Sequence, residues 1–97
     1  MKDRAAIEDT IRGMMDELRL RYHVRKIGIF GSYSTGSQTD RSDLDLLVEF
    51  EQPIGMLAFV HLRAHIAERL GIPVDLVTPG GLHPLIRQEV MKSVVYV

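Results

Sequence analysis

The first part of the chain alternates apolar and polar side chains with the period of an amphipathic helix. From Asp3 to about Arg21 the apolar positions recur every three or four residues, the spacing that brings side chains to one face of a helix. The pattern predicts a first helix with the following buried stripe: Ile7, Ile11, Met14, Met15, Leu18 and Tyr22.

Three short apolar runs have the length and composition of strands. They cover Val24 to Phe30, Asp43 to Phe50 and Ile72 to Thr78. Side chains two residues apart in a strand share a face, so Asp43 and Asp45 are predicted to face the same side. The opposite, core-facing side of that strand carries Leu44, Leu46, Val48 and Phe50.

The second half of the chain predicts two further helices. One runs from Pro53 to about Leu70, and Gly71 suits its C-terminal cap. The other runs from Leu82 to Met91, after a break at a Pro-Gly-Gly sequence. The apolar end from Val94 to Val97 is compatible with a short final strand or with a packed tail.

The carboxylates on the second strand are candidate metal ligands. Two ionised carboxylates on one strand face repel each other unless a cation or proton lies between them. Oxygen ligands suit Mg²⁺, and converging side chains can hold two ions about 3.5–4 Å apart, as in two-metal phosphoryl-transfer sites. Asp75 is the third candidate, because a carboxylate inside an apolar strand is costly unless it is paired or liganded. Two alternatives stay open: Asp43 and Asp45 could line a solvated face, and Asp75 could pair with a basic residue.

The loop from Gly31 to Ser42 is rich in small residues and is a candidate phosphate-binding segment. Gly31 permits close backbone approach, and Ser32 adds a hydroxyl donor. A helical turn from Tyr33 to Ser37 would present free N–H groups to an anion. Ser42 adjoins the acids and is a candidate for phosphate or metal binding. The alternative is that the glycines and Ser42 serve only a local turn.

These residues resemble the signature of a known superfamily. Gly31-Ser32, ten residues and then Asp43-Leu44-Asp45, with Asp75 on a later strand, is similar to the Gly-Ser-x(10)-Asp-x-Asp signature of DNA polymerase β-like nucleotidyltransferases. The short chain resembles the minimal nucleotidyltransferase (MNT) family, small prokaryotic proteins often paired with HEPN-domain partners as antitoxins. Many relatives carry Ala-Arg-Gly-Glu where this chain has Ser34-Thr35-Gly36-Ser37. The basic residue that could touch phosphate is therefore missing at Thr35.

The resemblance implies a fold and a set of site residues. The fold is α/β (α+β), with a small mixed β-sheet and helices packed on one side. Two Mg²⁺ ions are expected on Asp43, Asp45 and Asp75, with Asp75 beside the attacking oxygen and helping to deprotonate it. Gly31 and Ser32 are expected to cradle the phosphates of ATP.

The implied activity is transfer of AMP from ATP to a hydroxyl acceptor with release of pyrophosphate. The acceptor expected from the resemblance is a tyrosine of a HEPN ribonuclease toxin, which the chain would inactivate by AMPylation. The alternative is a non-catalytic antitoxin that blocks the toxin as a stoichiometric binding module. A small-molecule nucleotidyltransferase is less favoured, because those enzymes generally carry an additional domain for their acceptor.

Length and composition argue against several other kinds of protein and site. The 97 residues predict a single domain over 1–97, and 12 basic against 13 acidic residues disfavour nucleic acid as a direct ligand. The absence of cysteine excludes disulfides and thiolate sites. No apolar run approaches the about 20 residues needed to span a bilayer, so we expect a cytoplasmic protein with no membrane partner, and a homo-oligomer stays open. His61 and His65 have a spacing that can bind zinc, but without a third ligand we expect them on a solvated face.

Overall fold

The computed structural model describes residues 3–39 and 43–97, and helices alternate with strands along most of this part of the chain. The helices are α1 (Arg4–Tyr22), α2 (Ser32–Thr35), α3 (Met56–Leu70) and α4 (Pro84–Ser93). The strands are β1 (Val24–Phe30), β2 (Leu44–Phe50), β3 (Val74–Val77) and β4 (Val95–Tyr96), and a 3-10 turn covers Pro79–Gly81.

The four strands form one sheet in the order β3-β2-β1-β4. Strand β1 is antiparallel to β2 and to β4, whereas β2 is parallel to β3. A parallel pair needs a long crossover, and α3 supplies it between β2 and β3. The predicted α/β (α+β) fold with a small mixed sheet is confirmed.

The core lies between one face of the sheet and the two long helices. Helix α1 contributes a buried stripe that matches the predicted one except at Met15, which is only partly buried, and α3 contributes a second stripe. The strand residues in the same cluster come from β1, β2 and β3, and those of β2 alternate along the strand. The cluster includes Ile7, Ile11, Met14, Leu18, Ile27, Ile29, Leu44, Leu46, Val48, Leu62, Ile66 and Leu70. The opposite face of β2 carries Asp45 and Glu49, with the fully buried Leu47 between them.

The element boundaries differ from the prediction where local backbone conformation overrides the pattern. Helix α3 begins at Met56 and not at Pro53, because Gly55 is extended, with ψ at 164°. Helix α4 begins at Pro84, which occupies the first helical position, where its missing N–H is tolerated. The C-terminal cap at Gly71 is confirmed by its left-handed conformation, with φ at 72°.

Of the two alternatives for the end of the chain, a short strand or a packed tail, the structure has the strand. Backbone pairing of Gly28 with Tyr96 and of Ile29 with Val95 attaches β4 to β1. A Cβ on Gly28 would collide with Val94 and lie 3.1 Å from the Tyr96 ring, so a glycine is required there. Among the helices that the structure describes, none is long and apolar enough to cross a membrane.

Candidate active site

Strands β2 and β3 bring the predicted acids to one face of the sheet. Asp45 and Asp75 are direct partners in the parallel register, and such partners project to the same face, with strands about 4.8 Å apart. Asp43 lies two residues before Asp45, on the same face and just ahead of β2. The residue between them, Leu44, is fully buried on the core face. The sequence could predict the Asp43–Asp45 alternation, whereas the pairing with Asp75 depends on strand register.

The charges of the two neighbouring acids act on the Asp45 carboxyl group. Its pKa is raised above the ordinary value of 3.8, first by burial and then by the negative charges of Asp75 and Asp43. Burial and like charges both disfavour the ionised form of a carboxyl group. A bound cation would offset both effects.

The three acids form an open group. Asp43 and Asp75 are exposed, and Asp45 is half-buried. Within residues 3–39 and 43–97, no group of three or more Asp, Glu, His or Cys side chains is close enough to hold an ion as it stands. In the same part of the chain, no basic side chain forms an ion pair with Asp75. Ser42, the other residue predicted beside the acids, lies outside the described residues.

Gly31 lies directly against Asp45. Strand β1 ends at Phe30, and Gly31 follows with φ at 72° and ψ at −147°, a conformation essentially restricted to glycine. A Cβ at Gly31 would collide with Oδ2 of Asp45 and lie 3.2 Å from its Cγ. Glycine is therefore required both by the backbone conformation and by the carboxylate beside it.

The predicted helical turn exists, but it begins one residue earlier and ends two residues earlier than expected. It spans Ser32–Thr35 and not Tyr33–Ser37. The Gly31 carbonyl accepts hydrogen bonds from the backbone N–H groups of Ser34, at 3.1 Å, and Thr35, at 3.2 Å. Tyr33 is only 3% exposed and anchors the turn in the core. The turn thus holds Ser32 at the edge of the acidic face, the face of the sheet that carries Asp43, Asp45 and Asp75.

A cleft adjoins the turn on the side of α1. It has a volume of 480 Å³ and is lined by residues of the first turns of α1 and of the segment from Tyr33 to Gln38. A second cleft, of 370 Å³, lies near the end of β2 and the 3-10 turn. Neither cleft is lined by Asp43, Asp45 or Asp75.

Two contacts of polar residues were not predicted from the sequence. Arg4 Nη1 donates a hydrogen bond to the Ser34 carbonyl at 3.0 Å. His65 Nε2 lies 2.6 Å from Glu17 Oε1, so the prediction of a solvated position is wrong for His65, although His61 is exposed. The sequence carried one signal for Arg4, a cation in the first turn of a helix, where the helix dipole disfavours positive charge.

Comparison with known proteins agrees with this geometry. A family model described as a nucleotidyltransferase domain matches residues 10–97. This range includes Asp43, Asp45, Asp75 and the loop that begins at Gly31. The chain belongs to this family. The nucleotidyltransferase is 42% identical over 91 residues to the protein adenylyltransferase MntA of Thermococcus cleftensis, covering 94% of this chain and 92% of the relative.

Solved structures share the fold of this nucleotidyltransferase. One, described provisionally as a minimal nucleotidyltransferase, is 33% identical, with a TM-score of 0.75 over 95% of this chain and 89% of the other. Another is a toxin–antitoxin crystal structure with AMP-PNP, 29% identical, with a TM-score of 0.75 over 92% of this chain and 70% of the other. The resemblance to minimal nucleotidyltransferases is therefore confirmed.

Proposed function

We propose that this nucleotidyltransferase is a Mg²⁺-dependent protein adenylyltransferase that transfers AMP from ATP to a hydroxyl group, the acceptor being a tyrosine of a HEPN ribonuclease toxin. The observation that carries the proposal is the register pairing of Asp45 with Asp75 on the face that also meets Gly31. The MntA relative is named a protein adenylyltransferase, which supports the same reaction for this chain.

The metal ligands in this proposal are Asp43, Asp45 and Asp75. Their carboxylate oxygens are the hard donors that Mg²⁺ prefers, and the raised pKa of Asp45 reflects repulsion that a cation would offset. Two bound ions would screen the charge of the triphosphate and favour the ionised form of the acceptor hydroxyl. The fit rests on the donor type, the shared face and the open approach to it.

The chain's own residues have distinct roles in the proposed reaction. Gly31 and Ser32 hold the triphosphate through the close backbone approach and the Ser32 hydroxyl, with Ser42 as a further proposed contact. The acceptor oxygen attacks the α-phosphorus, a new P–O bond forms, and the bond to the bridging oxygen breaks, so that pyrophosphate leaves. Asp75 accepts the proton of the acceptor hydroxyl as general base.

The proposed partner follows from the open site and from the relatives. Asp43 and Asp75 are exposed, Asp45 is half-buried, and none of them lines either cleft, so a docking protein would supply the acceptor and cover the nucleotide. A related structure is a toxin–antitoxin complex with AMP-PNP, which supports a toxin in this role. AMP on a tyrosine near a ribonuclease site would add negative charge and bulk where RNA phosphates bind, and would inhibit the toxin.

Mass spectrometry of the toxin tests the proposal. A HEPN protein encoded beside this chain would be incubated with the chain, ATP and Mg²⁺, and then weighed. We expect one or more added AMP groups with the wild-type chain and none with Asp43→Asn or Asp45→Asn. The matched control is Asp16→Asn, which changes an acid 95% exposed on α1 and should retain transfer. An unmodified toxin that is inhibited equally by the wild type and Asp43→Asn would establish the stoichiometric binding module instead.

A further inference from the structure

The part of the phosphate-binding loop that the structure describes, residues 31–39, contains no cation of its own. Residues 31–39 read Gly-Ser-Tyr-Ser-Thr-Gly-Ser-Gln-Thr, without Lys or Arg. The cation that contacts this loop in the described structure comes from the first residue of α1: the Arg4 guanidinium donates to the Ser34 carbonyl at 3.0 Å across 30 residues of sequence.

The position of Arg4 is unfavourable for α1 itself. The N-terminal end of a helix carries partial positive charge, so a cation in its first turn is disfavoured. The carboxylate at this end of α1 is that of the N-cap Asp3, and it accepts a hydrogen bond from the Ala6 N–H. Arg4 forms no ion pair with a carboxylate among the residues that the structure describes. The favourable interaction of Arg4 is therefore the one with α2.

The positive charge of Arg4 is favourable where it contacts α2. Ser34 lies near the C-terminal end of the turn, where carbonyl groups lack helical partners and carry partial negative charge. A helix of four residues is far below the about 12–15 residues at which isolated helices become marginally stable. The turn must therefore be held by tertiary contacts, of which buried Tyr33 provides one and Arg4 another.

The anchor point of Arg4 is itself fixed. Asp3 caps α1 by accepting the Ala6 N–H at 2.8 Å, and Ile7, one turn further on, is fully buried. The other end of α2 is Gly31 and Ser32, with Gly31 against the Asp45 carboxylate. A short rigid turn thus connects Arg4 at one end to the acidic face at the other.

We infer that Arg4 is a positioning residue for nucleotide binding: it fixes α2 so that Gly31 and Ser32 are held beside Asp45 in a conformation ready for phosphate. This inference rests on the proposed function, because it assigns a role to Arg4 in the same nucleotide site. It requires no contact between Arg4 and the nucleotide.

The test compares Arg4→Ala, Arg4→Lys and the control Arg12→Ala. Arg12 is on the same helix, and its described partner is Asp9 on the exposed surface. Two measurements are made on each protein: amide hydrogen exchange at Thr35 and Ser37 without nucleotide, and calorimetric affinity for AMP-PNP with Mg²⁺. Both amides bond within the loop, to the Gly31 and Ser32 carbonyls, so they report its order.

We expect Arg4→Ala to speed exchange at both amides and to weaken AMP-PNP binding about tenfold. A tenfold change in affinity corresponds to the loss of one charge-assisted hydrogen bond. Arg4→Lys, which retains the charge and a donor, should recover most of the affinity, and Arg12→Ala should match the wild type. If Arg4→Ala does not fold, Arg4→Lys must still exchange faster at both amides and bind AMP-PNP more weakly than the wild type.

Two results would overturn the inference. Unchanged exchange in the Arg4 variants would mean that Arg4 does not hold the loop. Faster exchange with unchanged affinity would mean that the ordering of the loop does not contribute to nucleotide binding. These results are distinguishable from failure of the proposed function, which would appear as equal AMP-PNP binding by the wild type and Asp45→Asn.

Discussion

At Asp45, burial and the charges of Asp75 and Asp43 act in the same direction on one carboxyl group. Because its pKa is raised, the folded state binds the proton more tightly than the unfolded state does. The resulting stabilisation is fully present below the ordinary carboxyl pKa and is lost as the pH rises through the raised value. The ionised site thus lowers the free energy of unfolding of the metal-free protein at neutral pH.

Asp45→Asn should therefore stabilise the metal-free protein while abolishing transfer. In EDTA, its melting temperature should equal that of the wild type at about pH 3 and should be higher at about pH 7. Activity should fall at least about a hundredfold, since even residues that only support metal ligands cost about 10- to 100-fold when removed. Thermal unfolding across this pH range, together with a transfer assay, measures both effects. An Asp45→Asn protein that is destabilised at neutral pH would show that the carboxylate has a structural role.

Substitutions at Gly31 and Gly36 distinguish two reasons for a glycine, the backbone conformation and the lack of space for a Cβ. Both have positive φ, at 72° and 79°, but a Cβ at Gly36 would meet nothing within 4 Å, whereas at Gly31 it would collide with Asp45. Gly36→Ala should cost about 1–2 kcal/mol of unfolding free energy and leave activity per folded molecule unchanged. Gly31→Ala should cost more and also remove activity, as denaturant melts and transfer assays would show. Equal losses in both variants would contradict the close approach of Gly31 to Asp45.

At the level of elements, β2 divides into a structural face and a chemical face. Leu46 is fully buried between the sheet and the helices, so Leu46→Ala should lower the free energy of unfolding by about 2–5 kcal/mol. Because Leu46 points away from the acids, activity per folded molecule should be retained. Leu20→Ala is the control, since Leu20 is 80% exposed, and it should change stability by less than about 0.5 kcal/mol. Loss of specific activity in Leu46→Ala would contradict the separation of the two faces.

Helices α1 and α3 are joined by the pair of Glu17 and His65. The hydrogen bond from His65 lowers the pKa of Glu17, more than burial raises it. A lowered carboxyl pKa gives stability that is present above the unfolded value and lost as the pH falls through the folded value. Glu17→Gln should therefore melt below the wild type at neutral pH, with the gap closing in acid. A gap that persists below the folded pKa would mean that the carboxylate charge is not what joins the helices.

The elements that could be predicted from the sequence are those set by local pattern. The stripe of α1, the bounds of β1 and the alternation of β2 follow from apolar spacing, and Gly71 follows from the need for a left-handed helix end. The sequence predicted Asp75 as the third acid, but not the strand register that pairs it with Asp45. The Arg4–Ser34 bond and the Glu17–His65 pair could not be predicted. Each depends on the register or packing of segments that are 30 or more residues apart.

At the scale of the whole molecule, the nucleotidyltransferase match covers residues 10–97, and a single domain over 1–97 stays a prediction. The open acidic face leaves the acceptor to be supplied by another molecule. We therefore expect transfer to be much faster with the toxin present than with free tyrosine as acceptor, because docking replaces a collision with a fixed geometry. Comparing AMP transfer to toxin and to millimolar tyrosine measures the difference, and equal rates would contradict the requirement for a docked partner.

The central claim is that Asp43, Asp45 and Asp75 hold divalent metal that in turn binds nucleotide, and calorimetry with AMP-PNP tests it most directly. The wild type and the control Asp16→Asn should bind AMP-PNP with Mg²⁺ and lose most of that affinity in EDTA. Asp45→Asn and Asp75→Asn should bind more weakly with Mg²⁺ and respond less to its removal. Equal affinity of the wild type with and without Mg²⁺, or unchanged Mg²⁺-dependent binding by Asp45→Asn, would contradict the account.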